Sequence, residues 1–256
     1  MLHILREDFI MNTTKKERIA IVTGGSRGIG RAISERLASD GQTVVIAYAN
    51  NAVEADKTVQ SIVEKGGKAI AIKADISDEV AVSKLFDMTE KDFGGVDVVV
   101  NSAGIMGLNT IANFDLNKLD QIIRTNIRGT FVVDQQAARR VRSGGAIINL
   151  STSVKKLALP TYAAYTASKG AVDAISLVLA KELRGRDITV NAVAPGPTAT
   201  ELFFEGKDDE TIDRMAKMNP IERLGKPEDI AEVISFLAGP ARWINGQTIY
   251  VNGGMV

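Results

Sequence analysis

The chain has 256 residues, with 31 Lys and Arg balanced by 31 Asp and Glu, no cysteine and one histidine, His3. That length can bury a large single core, and the balanced charge leaves no electrostatic footprint for nucleic acid or an anionic membrane, so expected partners are small molecules or further copies of the chain. Without cysteine there are no disulfides, thiolate zinc sites or cysteine nucleophiles, and a lone His3 in the leading segment argues against histidine catalysis; no metal is expected.

Residues 1–10 carry apolar groups interrupted by Arg6, Glu7 and Asp8. They lack the apolar core of a signal peptide, and no run reaches the roughly 18 apolar residues of a membrane span. The expected location is therefore cytoplasmic. Residues 1–17 are expected to be a disordered N-terminal extension, with Met11 a second plausible start, and 18–256 a single domain with no linker or repeat. Strands are predicted over 18–23, 43–48, 68–73, 96–100, 146–151, 188–193 and 247–251. Val, Ile and Ala fill these runs without alternation, as in strands buried on both faces. Segments 28–40, 52–65, 78–92, 115–142, 162–184 and 227–238 carry apolar residues at helical spacing. Gly66 and Gly94 fall just past helix ends, where a left-handed residue is wanted. The alternation predicts an α/β fold: a doubly wound, parallel seven-stranded Rossmann sheet with helices on both faces.

Two motifs carry chemistry. After the first strand comes Gly24-Gly-Ser-Arg-Gly28-Ile-Gly30, then an amphipathic helix. Glycines there let the backbone approach a pyrophosphate, whose charge meets free N–H groups and the helix dipole. The spacing is G-x-x-x-G-x-G, whereas the more widespread fingerprint is G-x-G-x-x-G. Further on, Tyr165 and Lys169 stand four residues apart in a helical pattern, so both heads share one face. A lysine beside a tyrosine favours the phenolate, which predicts a lowered tyrosine pKa.

Together these residues resemble the short-chain dehydrogenase/reductase family over nearly the whole chain, from Arg18 to Gly254. Thr23 to Gly30 matches its glycine motif, Asn101-Ser-Ala-Gly104 its N-[NS]-A-G element, and Asn126 its helix asparagine. Pro195-Gly196-Pro-Thr198-Ala-Thr200 resembles the loop over the nicotinamide. The subgroup resemblance is to tetrahydroxynaphthalene-reductase-like and 3-oxoacyl-carrier-protein-reductase-like branches.

The resemblance implies a carbonyl reductase in which Tyr165 donates the proton, Lys169 binds the nicotinamide ribose and Asn126 holds a water leading to Lys169. A hydroxyl at the end of the fifth strand should orient the carbonyl. A spacing of 13 residues before the tyrosine gives Thr152 and one of 14 gives Ser151, with Ser153 third; alternation along a strand would send Thr152 to the opposite face from the two serines. The family's usual glycine after this serine is replaced by Val154-Lys155-Lys156. Cofactor contacts are expected from Gly24, Ser26, Arg27, Gly28, Ile29, Gly30, Tyr48, Asn50, Asn51, Asp75, Ile76, Asn101, Ala103, Gly104, Tyr165, Lys169, Pro195, Gly196, Thr198 and Thr200.

Charge decides which cofactor. NAD-selective relatives place a carboxylate at the end of the second strand; here stands Tyr48-Ala-Asn50-Asn51, with no acid, while Arg27 supplies a planar cation suited to a phosphate. NADP(H) is predicted. A lid over Glu201–Asn219, carrying Leu202, Phe203, Phe204, Met215 and Met218, suggests an apolar ketone, quinone or 3-oxoacyl substrate. Other readings are an NAD(P)-binding regulator without turnover, an alcohol or sugar dehydrogenase working oxidatively, or an epimerase or dehydratase, which usually needs a larger substrate domain. Relatives pair the helices over 115–142 and 162–184 across a twofold axis, with Phe131, Val132, Ala163 and Ala171 expected to face outward, and the strand Thr248–Val251 with the helix over 227–238 offers a second such surface, so a homotetramer is predicted, with a dimer as the alternative.

Overall fold

Apolar residues on both sides of the pleat force each strand to be covered twice, and the chain meets that demand by alternating strands with helices. The computed structural model describes residues 17–256. The chain runs β1 (Ile19–Thr23), α1 (Gly28–Ser39), β2 (Thr43–Tyr48), α2 (Ala52–Glu64), β3 (Lys68–Lys73), α3 (Glu79–Phe93) and β4 (Val96–Asn101). It continues through α4 (Leu116–Ile122), α5 (Thr130–Arg140), β5 (Val141–Leu150), α6 (Val154–Leu157), α7 (Ala163–Glu182) and β6 (Thr189–Pro195). The lid helices α8 (Glu201–Phe204) and α9 (Asp209–Ala216) follow, then α10 (Pro227–Ala238) and β7 (Thr248–Val251). All seven strands are parallel, in the order β3-β2-β1-β4-β5-β6-β7.

Alternate residues of each strand feed two separate core layers. Ile21, Val45, Val99 and Ile147 pack with Leu85, Phe86, Val133 and Leu179 from α3, α5 and α7. Val22, Ile46, Val100 and Ile148 pack on the other face with Ile33, Leu37, Ile230 and Ile234 from α1 and α10. The helix ends fall as predicted, with Gly66 at φ 82° and Gly94 at φ 79° in the left-handed region. Among the described residues, no helix is long and apolar enough to cross a membrane, and no three His, Cys, Asp or Glu side chains form a metal-ligand cluster.

Three expectations change. The helix predicted over 115–142 is interrupted by a π-helical segment, Ile123–Gly129. There the Asn126 side chain leaves the helix for other partners, and Thr130 Oγ1 donates to the Asn126 carbonyl at 2.8 Å. The fifth strand begins at Val141 rather than 146, with a register shift against Val96–Val98. Gly145 makes this possible, because a Cβ there would meet the Asp97 carbonyl at 2.6 Å. Val132 is buried, whereas Phe131 points outward. The N-terminal extension lies outside the described residues except for Glu17, whose carboxylate accepts from Lys68 Nζ at 2.9 Å.

Beneath the carboxyl ends of the central strands lies a buried polar knot. Asn101 Nδ2 donates to Asp134 Oδ1 at 2.8 Å and to Asn149 Oδ1 at 2.7 Å. Asn149 Nδ2 donates to Asp134 Oδ2 and to Ser176 Oγ, both at 2.9 Å. Burial pushes the Asp134 carboxyl up to about 7, against the opposing pull of Asn149 and Asn101. Its pKa is thus raised above the unfolded value, so the native state binds the extra proton, and stability falls as pH rises from about 4 to 7 and then levels. Chemical denaturation of Asp134→Asn between pH 4 and 8 should show this fall flattened, with about 1 to 3 kcal/mol lost overall because one amide now faces another amide. An unchanged pH slope would remove the role assigned to Asp134.

Candidate active site

A parallel sheet points all its strand carboxyl ends to one edge, and the order here reverses between β1 and β4, opening a crevice at that edge. A cavity of about 530 Å³ occupies the crevice. Its floor at one end is the loop from β1 into α1. Gly24 takes φ 64°, and a Cβ on it would meet the Ala103 backbone at 2.8 Å; a Cβ on Gly30 would lie 2.1 Å from the Gly24 carbonyl. The loop therefore packs backbone on backbone with no glycine side chain between it and the cavity, and the Gly24 N–H is held by the Ala47 carbonyl at 2.9 Å. Thr58 Oγ1 donates to the Ser26 carbonyl at 3.1 Å and pins the turn from α2.

Most of the predicted cofactor contacts meet in this one cavity. Gly24, Ser26, Arg27, Gly28, Ile29 and Gly30 line it together with Tyr48, Asn50, Asn51, Asp75 and Ile76. Ala103, Gly104, Pro195, Gly196, Thr198 and Thr200 close the other side. Asn101 is the exception: it is turned inward to Asp134 and Asn149, and its neighbours Ser102 and Ala103 line the cavity instead. Arg27 reaches across the mouth to Glu201, with Nη1 3.5 Å from Oε2, and both side chains are largely exposed at 64% and 81%. Such a pair is weak on its own.

At the other end, α7 presents Tyr165 and Lys169 to the cavity beside Ser151 and Thr152. Because β5 ends at Leu150, the predicted alternation does not extend over the hydroxyls, and Ser151 and Thr152 both line the cavity. Ser153 does not: its Oγ donates to the Ala194 carbonyl and accepts from Asn252 Nδ2, each at 3.0 Å. Thr152 Oγ1 accepts from the Val154 N–H at 3.3 Å and stands on the same cavity wall as Tyr165. Ser151 Oγ has only the Lys169 carbonyl, at 3.5 Å.

The electrostatics run opposite to the predicted lowering of the tyrosine pKa. Burial pushes the Tyr165 phenol up to about 12, opposed by the neighbouring Thr152 hydroxyl. Burial also pulls the Lys169 ammonium down to about 8, helped by the nearby charge of Lys155. Lys169 Nζ donates to the Leu150 carbonyl at 2.6 Å and lies 5.9 Å from the Tyr165 ring centroid, so its direct bond is to the strand end while its charge stays near the phenol. Both groups are desolvated, and each disfavours its charged form.

Asn126 lies outside the cavity lining and is fully buried. Its Oδ1 accepts from the Ile105 N–H, and its Nδ2 donates to the Ile105 carbonyl and to Ser168 Oγ, at 2.9, 2.9 and 3.0 Å. The side chain thus clamps the segment after β4 to α7, and its amide is committed to those partners. From the lid, Leu202, Phe203 and Met215 face the cavity as expected, while Phe204 and Met218 are exposed. Met106, Val154, Tyr162, Glu201 and Lys207 also line it, although no sequence motif singled them out.

Comparisons with known proteins place the chain in a family. A family model described as enoyl-(acyl carrier protein) reductase matches residues 24–256. The chain is 46% identical over 253 residues to an NADPH-dependent aldehyde reductase 2, chloroplastic, of Arabidopsis thaliana, covering 93% of each chain. It is 44% identical over 250 residues to a short-chain type dehydrogenase/reductase of Picea abies, covering 93% of this chain and 92% of that one. A solved short-chain dehydrogenase from Burkholderia cenocepacia in complex with NADP superposes with a TM-score of 0.88 at 38% identity, over 94% of this chain and 98% of that one.

Proposed function

The chain belongs to the short-chain dehydrogenase/reductase family of oxidoreductases, and from that premise we propose that it reduces an aldehyde or ketone to an alcohol with NADP(H). The observation that carries this reading is the meeting of the glycine turn with Thr152, Tyr165 and Lys169 in one cavity. Backbone N–H groups at the start of α1, around Gly28–Gly30, would hold the pyrophosphate, and Arg27 a 2′-phosphate. The bound nicotinamide supplies the hydride.

The protein's part is position and the proton. Thr152 donates a hydrogen bond that orients the substrate oxygen, and Tyr165 passes its phenolic proton to that oxygen as negative charge develops. A phenol held neutral is competent for this step, and the raised pKa favours that form. Lys169, desolvated and fixed to the strand end, binds the ribose hydroxyls and offsets the charge left on Tyr165. Asn126 positions the segment 102–106 that lines the cavity, since its amide grips Ile105. The named activity of the Arabidopsis relative favours an aldehyde over the quinone or 3-oxoacyl classes.

We further propose a homotetramer. Phe131 on α5 and Leu177 and Val178 on α7 are about half exposed, and Trp243 beside the edge strand β7 is fully exposed. Apolar side chains of that size on adjoining helices suit a second copy better than water.

Tyr165→Phe should lower kcat for aldehyde reduction by about 10² to 10⁴ while leaving NADPH binding nearly unchanged. Full turnover in that variant would refute the assignment of the proton donor. The enzyme should use NADPH with a higher kcat/KM than NADH, and Arg27→Ala should narrow the gap by about 10-fold or more. Better use of NADH by the unaltered protein would overturn the cofactor reading. Light scattering at micromolar concentration should report four chains per particle, and Phe131→Glu should reduce that number; a monomer in the unaltered protein would end the proposal.

A further inference from the structure

Five charged side chains line the cavity, and each has at least one polar contact. Arg27 faces Glu201 at 3.5 Å, Asp75 accepts from the Ser77 N–H and hydroxyl, and Lys169 donates to the Leu150 carbonyl. Lys207 is the fifth. It sits in the turn between α8 and α9, where its Nζ donates to the Phe203 carbonyl at 2.6 Å and lies 4.9 Å from the Phe203 ring centroid. Among the described residues it forms no ion pair, and desolvation, only partly opposed by Glu205, lowers its pKa.

An ammonium has three donors, and one carbonyl occupies only one of them. The others remain for an acceptor entering the cavity, whose walls nearby are the apolar groups Leu202, Phe203 and Met215. A partly desolvated cation in such surroundings is stabilised most by an anion, because charge-assisted hydrogen bonds gain strength where water is scarce. The same anchoring to Phe203 keeps the side chain folded along the lid, so little rotamer freedom is left to lose on binding.

We propose that Lys207 recognises an anionic group on the substrate, so that the preferred carbonyl compound has an apolar body and a carboxylate at the end remote from the reacting carbon. The proposal rests on the reductase reading above. The same ammonium chemistry would also suit a phosphate of the cofactor, and the test separates the two sources.

The test compares kcat/KM with NADPH for 4-carboxybenzaldehyde and 4-methylbenzaldehyde in the unaltered enzyme, Lys207→Gln and Lys207→Arg. The unaltered enzyme should prefer the carboxylate by about 10- to 100-fold, through a lower KM. Lys207→Gln should bring the ratio close to one, and Lys207→Arg should restore most of it. Equal use of both aldehydes by the unaltered enzyme, or a Lys207→Gln loss that falls on both alike, overturns the proposal. A Lys207→Gln variant that loses NADPH affinity in a fluorescence titration, with the ratio intact, assigns the cation to the cofactor and overturns it as well. Binding of 4-methylbenzoate in the presence of NADP, measured by calorimetry, decides the anion site without turnover: binding weakened about 10-fold or more by Lys207→Gln supports it, and binding indifferent to the substitution sinks it. Failure to reduce either aldehyde would count against the reductase reading, and the benzoate titration would still judge Lys207.

Discussion

A buried carboxylate with no access to water must take its hydrogen bonds from the protein, and Asp134 takes them from two strand ends at once. Asn101 closes β4, Asn149 stands next to last in β5, and Ser176 extends the knot into α7. Because α5 carries the acid, one polar cluster fixes the relative heights of two strands and two helices. Everything catalytic stands on that platform. Leu150, one residue beyond Asn149, receives the Lys169 ammonium, and the three hydroxyls that follow take their positions from the same strand end. Polar groups buried this deeply stabilise little in net terms, but a mismatched arrangement leaves donors unpaired, so they select one register over its neighbours.

The catalytic pair is governed by desolvation more than by mutual charge. Tyr165 and Lys169 are raised and lowered in pKa by the same cause, burial, which favours the neutral form of each. A neutral acid beside a cation that readily gives up its proton makes a proton path with little charge separation at the start. Lys155 adds to this from behind: it pairs with Asp173, one turn beyond Lys169 on α7, and its charge depresses the ammonium further. The departure from the family's glycine at this point thus puts a second lysine close to the first.

The sheet, its order of elements and most cavity residues were legible in the sequence because burial on both faces and the glycine turn are local signals. Side-chain direction was not. The N-[NS]-A-G element identified the right loop, yet spacing alone could not show that Asn101 turns away from the cavity while Ala103 and Gly104 face it. The run 115–142 has helical periodicity throughout, so the π-helical segment around Asn126 left no trace in the pattern; it follows from tertiary bonds to Ile105 and Ser168. Ser151, Thr152 and Ser153 were indistinguishable by composition, and only the end of β5 and the partners of Ser153 separate them. No sequence motif marks Glu201, because its partner Arg27 lies across the cleft.

The cavity is lined by residues 24–76 together with residues 102–215. The two sets meet closely, since a Cβ on Gly24 would touch Ala103 and one on Gly28 would touch Thr200. The Arg27–Glu201 pair joins them by charge as well. A phosphate that claims Arg27 releases Glu201, and a lid that moves Glu201 frees Arg27. By thermodynamic reciprocity, whatever one event does to the free energy of the other is returned in full. Because the pair is exposed, that coupling is small, about 1 kcal/mol at most, so a substitution at Glu201 would shift cofactor preference only slightly, and one at Arg27 would shift the lid by the same small amount.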